Sequence, residues 1–195
     1  MPRPKEFDPD KALEEAMQVF WRKGYEATSV QDLVNQMGIN RFSLYDTFGD
    51  KHRLFLAALH RYQQKMVSEN LRALEHSQEG LRAIRRFFQA SVDWALAQKG
   101  CQGCLMTNSA VELAAHDKDA AAIVRASLKR IEEAFYKALL RAREKGEIGE
   151  SQNLRDYARF LTNNAQGLGV LTKARPDRRV LEGIVRIIFA GLKKI

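Results

Sequence analysis

The side chains best suited to chemistry fall into two groups, Asn40-Arg41-Phe42-Ser43-Leu44-Tyr45 and Cys101-Gln102-Gly103-Cys104. The first combines amide, guanidinium, hydroxyl and aromatic groups. A guanidinium can donate to O6 and N7 of guanine together and an apolar ring can rest on a thymine methyl, so Arg41 and Phe42 have the chemistry of base readers. The second group holds two thiols that could pair on oxidation. A thiol at a helix start has its thiolate stabilised by the dipole, which is what reactivity requires, but Cys104 equally fits a small buried side chain. Zinc would need two further ligands, and His52, His60, His76 and His116 show no paired ligand spacing, so no metal site is expected. No Ser/His/Asp arrangement, phosphate-cradling glycine loop or carboxylate pair at catalytic spacing is present, so neither an enzyme nor a cofactor is expected.

The first group needs an element to hold it, and Thr28 to Phe48 reads as two short helices joined by a tight turn. Thr28 with Gln31 fits a capping box. Val30, Leu33, Val34 and Met37 then form one apolar face, and Gly38 supplies the positive φ that ends a helix. Asn40 is a good N-cap, with Ile39 and Leu44 placed as a hydrophobic staple around it. The second helix covers about Asn40 to Thr47, with Leu44 and Phe48 inward and Asn40, Arg41, Phe42, Ser43 and Tyr45 outward. Two helices joined by such a turn make a helix-turn-helix, whose second helix enters the major groove.

Thr28-Ser29-Val30, Asp32-Leu33, Met37-Gly38-Ile39, Ser43-Leu44-Tyr45, Phe48, Lys51 and Leu54-Phe55 resemble the N-terminal signature of the TetR family of bacterial transcriptional repressors, over roughly residues 7 to 60. The resemblance implies a DNA-binding domain at residues 1–48 and an effector-binding and dimerisation domain at 49–195. It implies phosphate contacts from the hydroxyls of Thr28 and Tyr45 and from the charge of Lys51, with Ser29 beside Thr28 at the start of helix 2. It also implies a homodimer that pairs through the last two helices as a four-helix bundle, binds a palindromic double-stranded DNA operator, and is released by a small-molecule or electrophile effector. The segment from Gly103 through Cys104, Leu105, Asn108, Ala110, Glu112 and Leu113 is similar to the opening of helix 6 in a subset of that family, where the equivalent of Cys104 in some relatives senses electrophiles or oxidants.

The chain has 195 residues, 45% apolar, with a formal charge of +8. Residues 1 to 75 carry 11 Lys or Arg against 11 Asp or Glu, and residues 76 to 195 carry 21 against 13, so the excess lies entirely outside the reading segment. Individual cations, not bulk charge, must make phosphate contacts. Arg3 and Lys5 lie in an N-terminal arm expected to be mobile or to touch DNA. No apolar run reaches the length of a membrane span and the start lacks a signal-peptide core, so a cytoplasmic protein with reduced thiols is expected.

The remaining punctuation predicts an all-α fold of about nine helices. Asp8 and Pro9 open helix 1, whose inward side carries Leu13, Ala16, Met17 and Phe20 and which Gly24 closes. Asp50 caps helix 4, running to about His76. Helix 5 starts after Gly80, helix 6 covers about Leu105 to His116, and helix 7 about Asp119 to Lys145. Ser151 or Asn153 opens helix 8, and Pro176-Asp177 the last. The last two helices are apolar round too much of their circumference for a monomer's core alone, which predicts a dimer interface. Helices 5 to 8 are expected to enclose an effector pocket with Phe88, Trp94, Cys104, Met106 and Asn164 as lining candidates, although aromatics at helical spacing also simply fill cores. The alternative is a cytosolic thiol redox protein using Cys101 and Cys104, which would need a βαβ context that the pattern lacks.

Overall fold

The computed structural model describes residues 7–97, 102–174 and 177–192. Among these residues there is no strand, and nine helical rods follow one another. They are α1 (Pro9–Lys23), α2 (Val30–Met37), α3 (Arg41–Phe48), α4 (Lys51–Tyr62, continued through a π-helical turn Gln63–Val67 into Ser68–Glu75), α5 (Leu81–Ala97), α6 (Leu105–Leu113), α7 (Lys118–Glu144), α8 (Leu154–Lys173) and α9 (Arg178–Leu192). Helix 6 thus stops three residues before His116. The expected arm with Arg3 and Lys5, the Gly100 stop of α5, and Pro176 lie outside the described residues.

Local chemistry accounts for most of the boundaries. The Asp8 carboxylate accepts from the backbone of Asp10 and Lys11, and Pro9 follows at the first helical position, where its missing N–H costs nothing. Asn40 accepts from Ser43 N–H at 2.8 Å, Asp50 from Arg53 N–H at 2.7 Å, and Asn153, not Ser151, caps α8. Gly38 sits in the left-handed region at φ 66°, which permits the sharp exit from α2.

The cap of α2 is one residue later than expected. Ser29 accepts from Asp32 N–H at 3.0 Å, and the Asp32 carboxylate accepts from Ser29 N–H at 3.0 Å, closing the capping box. Thr28 is buried instead, its hydroxyl donating to the Gly24 carbonyl at 2.5 Å. Both Ser29 and Thr28 suit an N-cap chemically; the deciding factor is that Asp32, three residues after Ser29, is a stronger acceptor than Gln31.

The head packs α1 across α2 and α4, with Met17, Phe20, Leu33, Leu44, Leu54 and Phe55 buried and the Phe20 and Phe55 rings edge to face at 5.1 Å. This core is continuous with that of the body, where Phe88, Phe135 and Phe189 meet. No hinge therefore separates the two halves, because α4 serves both. Its far end is held by α7: Arg130 donates to both Glu75 oxygens and to the Ser68 hydroxyl, and Arg141 to the carbonyls of Leu74 and Glu79.

Removing the cap with Ser29→Ala is expected to cost about 1 kcal/mol at neutral pH, a Tm drop of about 2–4 °C for a chain of this size. Lys23, first, and then the backbone and hydroxyl of Ser29 hold the Asp32 carboxyl well below the usual carboxylate range. A folded-state pKa below the unfolded one gives stability that is complete at neutral pH and is lost as pH falls towards the folded value. In thermal melts the gap between the parent and Asp32→Asn should therefore persist at pH 7 and narrow on strong acidification; a gap independent of pH would refute the role of the ionised carboxyl.

Candidate nucleic-acid interface and regulatory cavity

The second helix of the turn, α3, is only eight residues long and buries just Leu44 completely. Its other faces are open: Phe42 is 79% exposed and Tyr45 46%, unusual values for aromatic side chains with nothing to cover them. Asn40 and Arg41 are exposed beside them and Ser43 is half-buried. The guanidinium of Arg41 is not loose. It donates to Gln31 Oε1 at 3.3 Å, and the Gln31 amide in turn donates to Asn35 Oδ1 at 2.8 Å. Gln31, read from sequence only as a capping residue, is thus the side chain that aims Arg41, a link across two helices that no local pattern reveals.

Lys51, in the first turn of α4, rests its ammonium 4.3 Å from the centre of the Tyr25 ring, a cation–π contact that holds the charge near the head's surface. Ser29 is exposed at the start of α2, with its hydroxyl donated to the Asp32 carboxylate at 2.7 Å. Thr28 is placed differently: it is 1% exposed, with its hydroxyl turned inward to the Gly24 carbonyl. The remaining expected positions, Ser29, Asn40, Arg41, Phe42, Ser43, Tyr45 and Lys51, lie on or beside the exposed starts of α2, α3 and α4.

A cavity of about 90 Å³ opens in the body. Its wall draws on both parts of α4 (Tyr62, Val67, Asn70, Leu71), on α5 (Phe87, Ser91, Trp94), on Gly103 and Cys104 ahead of α6, on Ile131 of α7, and on Gln166 and Thr172 of α8. Of the expected helices 5 to 8, α5, α7 and α8 contribute, α6 does so only through Gly103 and Cys104 ahead of it, and α4 joins them. Trp94 and Cys104 line the space as expected. Phe88 and Met106 do not: both are fully buried, Phe88 stacked on Phe135. Asn164 lies on another surface, beside Phe160, Val180 and Ile187, with its amide donated to the Phe160 carbonyl. Helical spacing identifies Phe88 and Met106 as inward, and they are; which inward residue faces a cavity depends on how helices far apart in the chain cross.

Among the described residues, none that lines the cavity is charged. Such a space suits an uncharged molecule, since an ion would have to shed its water without a compensating partner. Cys104 has an extended backbone at the start of α6, and its sulfur accepts from the Tyr62 hydroxyl at 3.6 Å. Burial, then the adjacent Cys104, raises the pKa of Tyr62, so this hydroxyl stays protonated as a donor to the sulfur. Cys101 lies outside the described residues. His52, Asp117 and Asp119 are close enough to share a metal ion, but the Asp117 carboxylate is already engaged by His52 and by the N-terminal amides of α7, whose dipole opposes a cation.

Head and body also meet along a polar seam. The Glu112 carboxylate accepts from the backbone of Tyr25 and Glu26 at 3.1 and 2.8 Å, and His52 Nε2 lies 2.8 Å from Asp117. Among the described residues no helix is long and apolar enough to cross a membrane.

Residues 12–58 match the family described as bacterial regulatory proteins of the tetR family, and residues 80–188 match the tetracyclin repressor-like C-terminal domain. The chain is 37% identical over 193 residues to the HTH-type transcriptional regulator YezE of Bacillus subtilis, covering 98% of this chain and 100% of that one. It is 31% identical to the HTH-type transcriptional repressor ComR of Escherichia coli, over 86% of this chain and 80% of ComR. In structure it is similar to a cysteine-substituted variant of the TetR family regulator CifR complexed with 26-base-pair operator DNA, with a TM-score of 0.88, 26% identity, and 97% and 99% of the two chains covered. With a helix-turn-helix head followed by such a C-terminal domain, the chain belongs to the TetR family of bacterial regulatory proteins and is a DNA-binding transcriptional regulator rather than an enzyme.

Proposed function

We propose that the protein is a cytoplasmic repressor that binds a palindromic operator as a homodimer and is released by a small uncharged or electrophilic effector seated beside Cys104. Residues 1–48 read DNA and residues 49–195 bind the effector and dimerise. The observation that carries this reading is the double duty of α4: its first half seats α3, and its Tyr62, Val67, Asn70 and Leu71 form a wall of the cavity. Matter entering the cavity meets the same rod that positions the reading helix. The repressor ComR and the operator complex of CifR support the direction of control and the DNA partner. A thiol redox role for Cys101 and Cys104 is disfavoured by the absence of any strand among the described residues.

Arg41 is the base reader, with Phe42 on a neighbouring thymine methyl, and Ser29, Tyr45 and Lys51 address phosphates while Asn40 and Ser43 complete the face. Selection from random duplexes tests this. Arg41→Ala should lose a guanine preference in each half-site at a cost of about 1–3 kcal/mol per contact, whereas an unchanged preference would remove Arg41 from the reading role.

The dimer surface is the groove formed by Phe160 and Asn164 of α8 with Val180, Gly183, Ile184 and Ile187 of α9. Ile187 is 70% exposed and Phe160 and Val180 beside it are also open, an apolar cluster of the kind that marks an interaction surface. A charge there should separate the copies. Ile187→Glu is expected to run as a monomer in light-scattering chromatography and to bind a palindromic duplex much more weakly than the parent; a dimer of unchanged mass would place the interface elsewhere.

For the effector, carbamidomethylation of Cys104 in a Cys101→Ser background should weaken operator binding by about tenfold or more, within the usual range of allosteric coupling. Full modification with no change in affinity would sink the cavity as a control site.

A further inference from the structure

Trp21 belongs to α1 of the reading head, yet its ring is enclosed by the body and is only 3% exposed. Its indole N–H donates to the Gly103 carbonyl at 3.0 Å. The ring stacks on Trp94, with centroids 5.4 Å apart and planes 10° apart, and stands edge-on to Tyr62 at 4.9 Å. Trp94, Tyr62 and Gly103 all line the cavity. One side chain of the head therefore touches three separate walls of the effector site, contributed by α5, by α4 and by the segment before α6.

The opposite wall has no slack. Gly103 has φ 64°, and a Cβ built there would stand 2.8 Å from the Gly169 carbonyl oxygen of α8; one built on Gly169 would stand 3.2 Å from Cys104 Cβ. The segment carrying Cys104 already lies against α8 as closely as backbone permits. A group added at Cys104 is bounded on that side, and the walls it meets across the cavity include the Gly103 backbone, Trp94 and Tyr62, each of which is a Trp21 contact. We propose that Trp21 is the residue through which the reading head senses the cavity: an occupant beside Cys104 takes away the Gly103 hydrogen bond or the Trp94 stack, and α1, on which α2 and α4 pack, is released with it. The inference rests on the reading of the cavity as the effector site. It assigns the signal to α1 as well as to α4, and it supplies the differential interaction that any two-state switch requires.

Iodoacetamide is the probe. The Cys104 sulfur forms a bond to its methylene carbon, the carbon–iodine bond breaks with loss of iodide, and the thiol proton passes to buffer. Proteins carrying Cys101→Ser, with and without Trp21→Phe, are modified to completion by intact mass and titrated against the duplex that the parent selects. Phenylalanine keeps a ring in the stack and deletes the N–H donor. Because Trp21→Phe has already lost the Gly103 bond, it should bind the duplex more weakly than the parent before modification; modification should then cost the Trp21 protein about tenfold or more and the Trp21→Phe protein less than about threefold. An equal loss in both overturns the role of Trp21 and leaves the cavity reading standing, whereas no loss in the Trp21 protein removes the cavity reading and the inference together. A second measurement does not depend on Trp21→Phe folding. The chain has two tryptophans, so Trp94→Phe leaves Trp21 as the sole emitter. Its fluorescence should move to the red on modification as the indole loses its buried acceptor, and unchanged emission overturns the proposal.

Discussion

Eight residues are too few to hold a helix in water, and both α2 and α3 have eight. Their shape is imposed from below. Leu33 and Val34 on α2 and Leu44 on α3 are anchored in the core with Phe20 of α1 and Leu54 and Phe55 of α4, and the caps at Ser29 and Asn40 satisfy the exposed amides at the two starts. A single fully buried side chain, Leu44, is what α3 contributes to that core. This small anchorage leaves Arg41, Phe42, Tyr45 and Asp46 of α3 exposed to a groove, and it also means that α3 follows wherever the core carries Leu44. The geometry of recognition is set by packing that no DNA-facing residue takes part in.

The electrostatics of the two halves are complementary in kind. The head is tied to the body by charge-assisted bonds at the surface, Glu112 to the amides of Tyr25 and Glu26 and His52 to Asp117, while the interior contact between them is aromatic and built on Trp21. Bonds of the first sort tolerate small shifts because side chains can follow; a stacked indole with one hydrogen bond does not, since the interior is close-packed. The cavity sits on the unyielding side. Its lining, neutral among the described residues, leaves shape and the thiol of Cys104 to distinguish one occupant from another.

Nearly every helix boundary was legible in the sequence because the caps at Asp8, Asn40, Asp50 and Asn153 and the stops at Gly24, Gly38 and Gly146 act over three or four residues. The error at Thr28 arose where two adjacent hydroxyl residues competed, and only the reach of Asp32 back to Ser29 decided between them. The exposed face of α3 was legible for the same local reason. The cavity was not. Trp94 and Cys104 were found, but Phe88, Met106 and Asn164 went to the core or to the outer groove, and Tyr62, Gly103 and Gln166 were missed, because lining depends on distances between helices far apart in the chain. Trp21 lies four residues from Met17 on a face already read as buried, so its burial was within reach; its three partners were not.

The π-helical turn at Gln63–Val67 is closed in part by the Ser68 hydroxyl, which donates to the Gln63 carbonyl at 3.2 Å. In a regular α-helix residues five apart point roughly 140° away from one another. The wider turn brings Tyr62 and Val67 round to one wall of the cavity and keeps Phe55, Leu59, Tyr62, Val67, Leu71 and Leu74 in a single buried stripe, as though one residue were not counted. Chain length at this point is therefore decoupled from rotational phase. The extra residue between 63 and 67 is absorbed without turning the two flanking segments relative to each other, so the half of α4 that seats the reading head and the half clamped by α7 present one continuous inner wall.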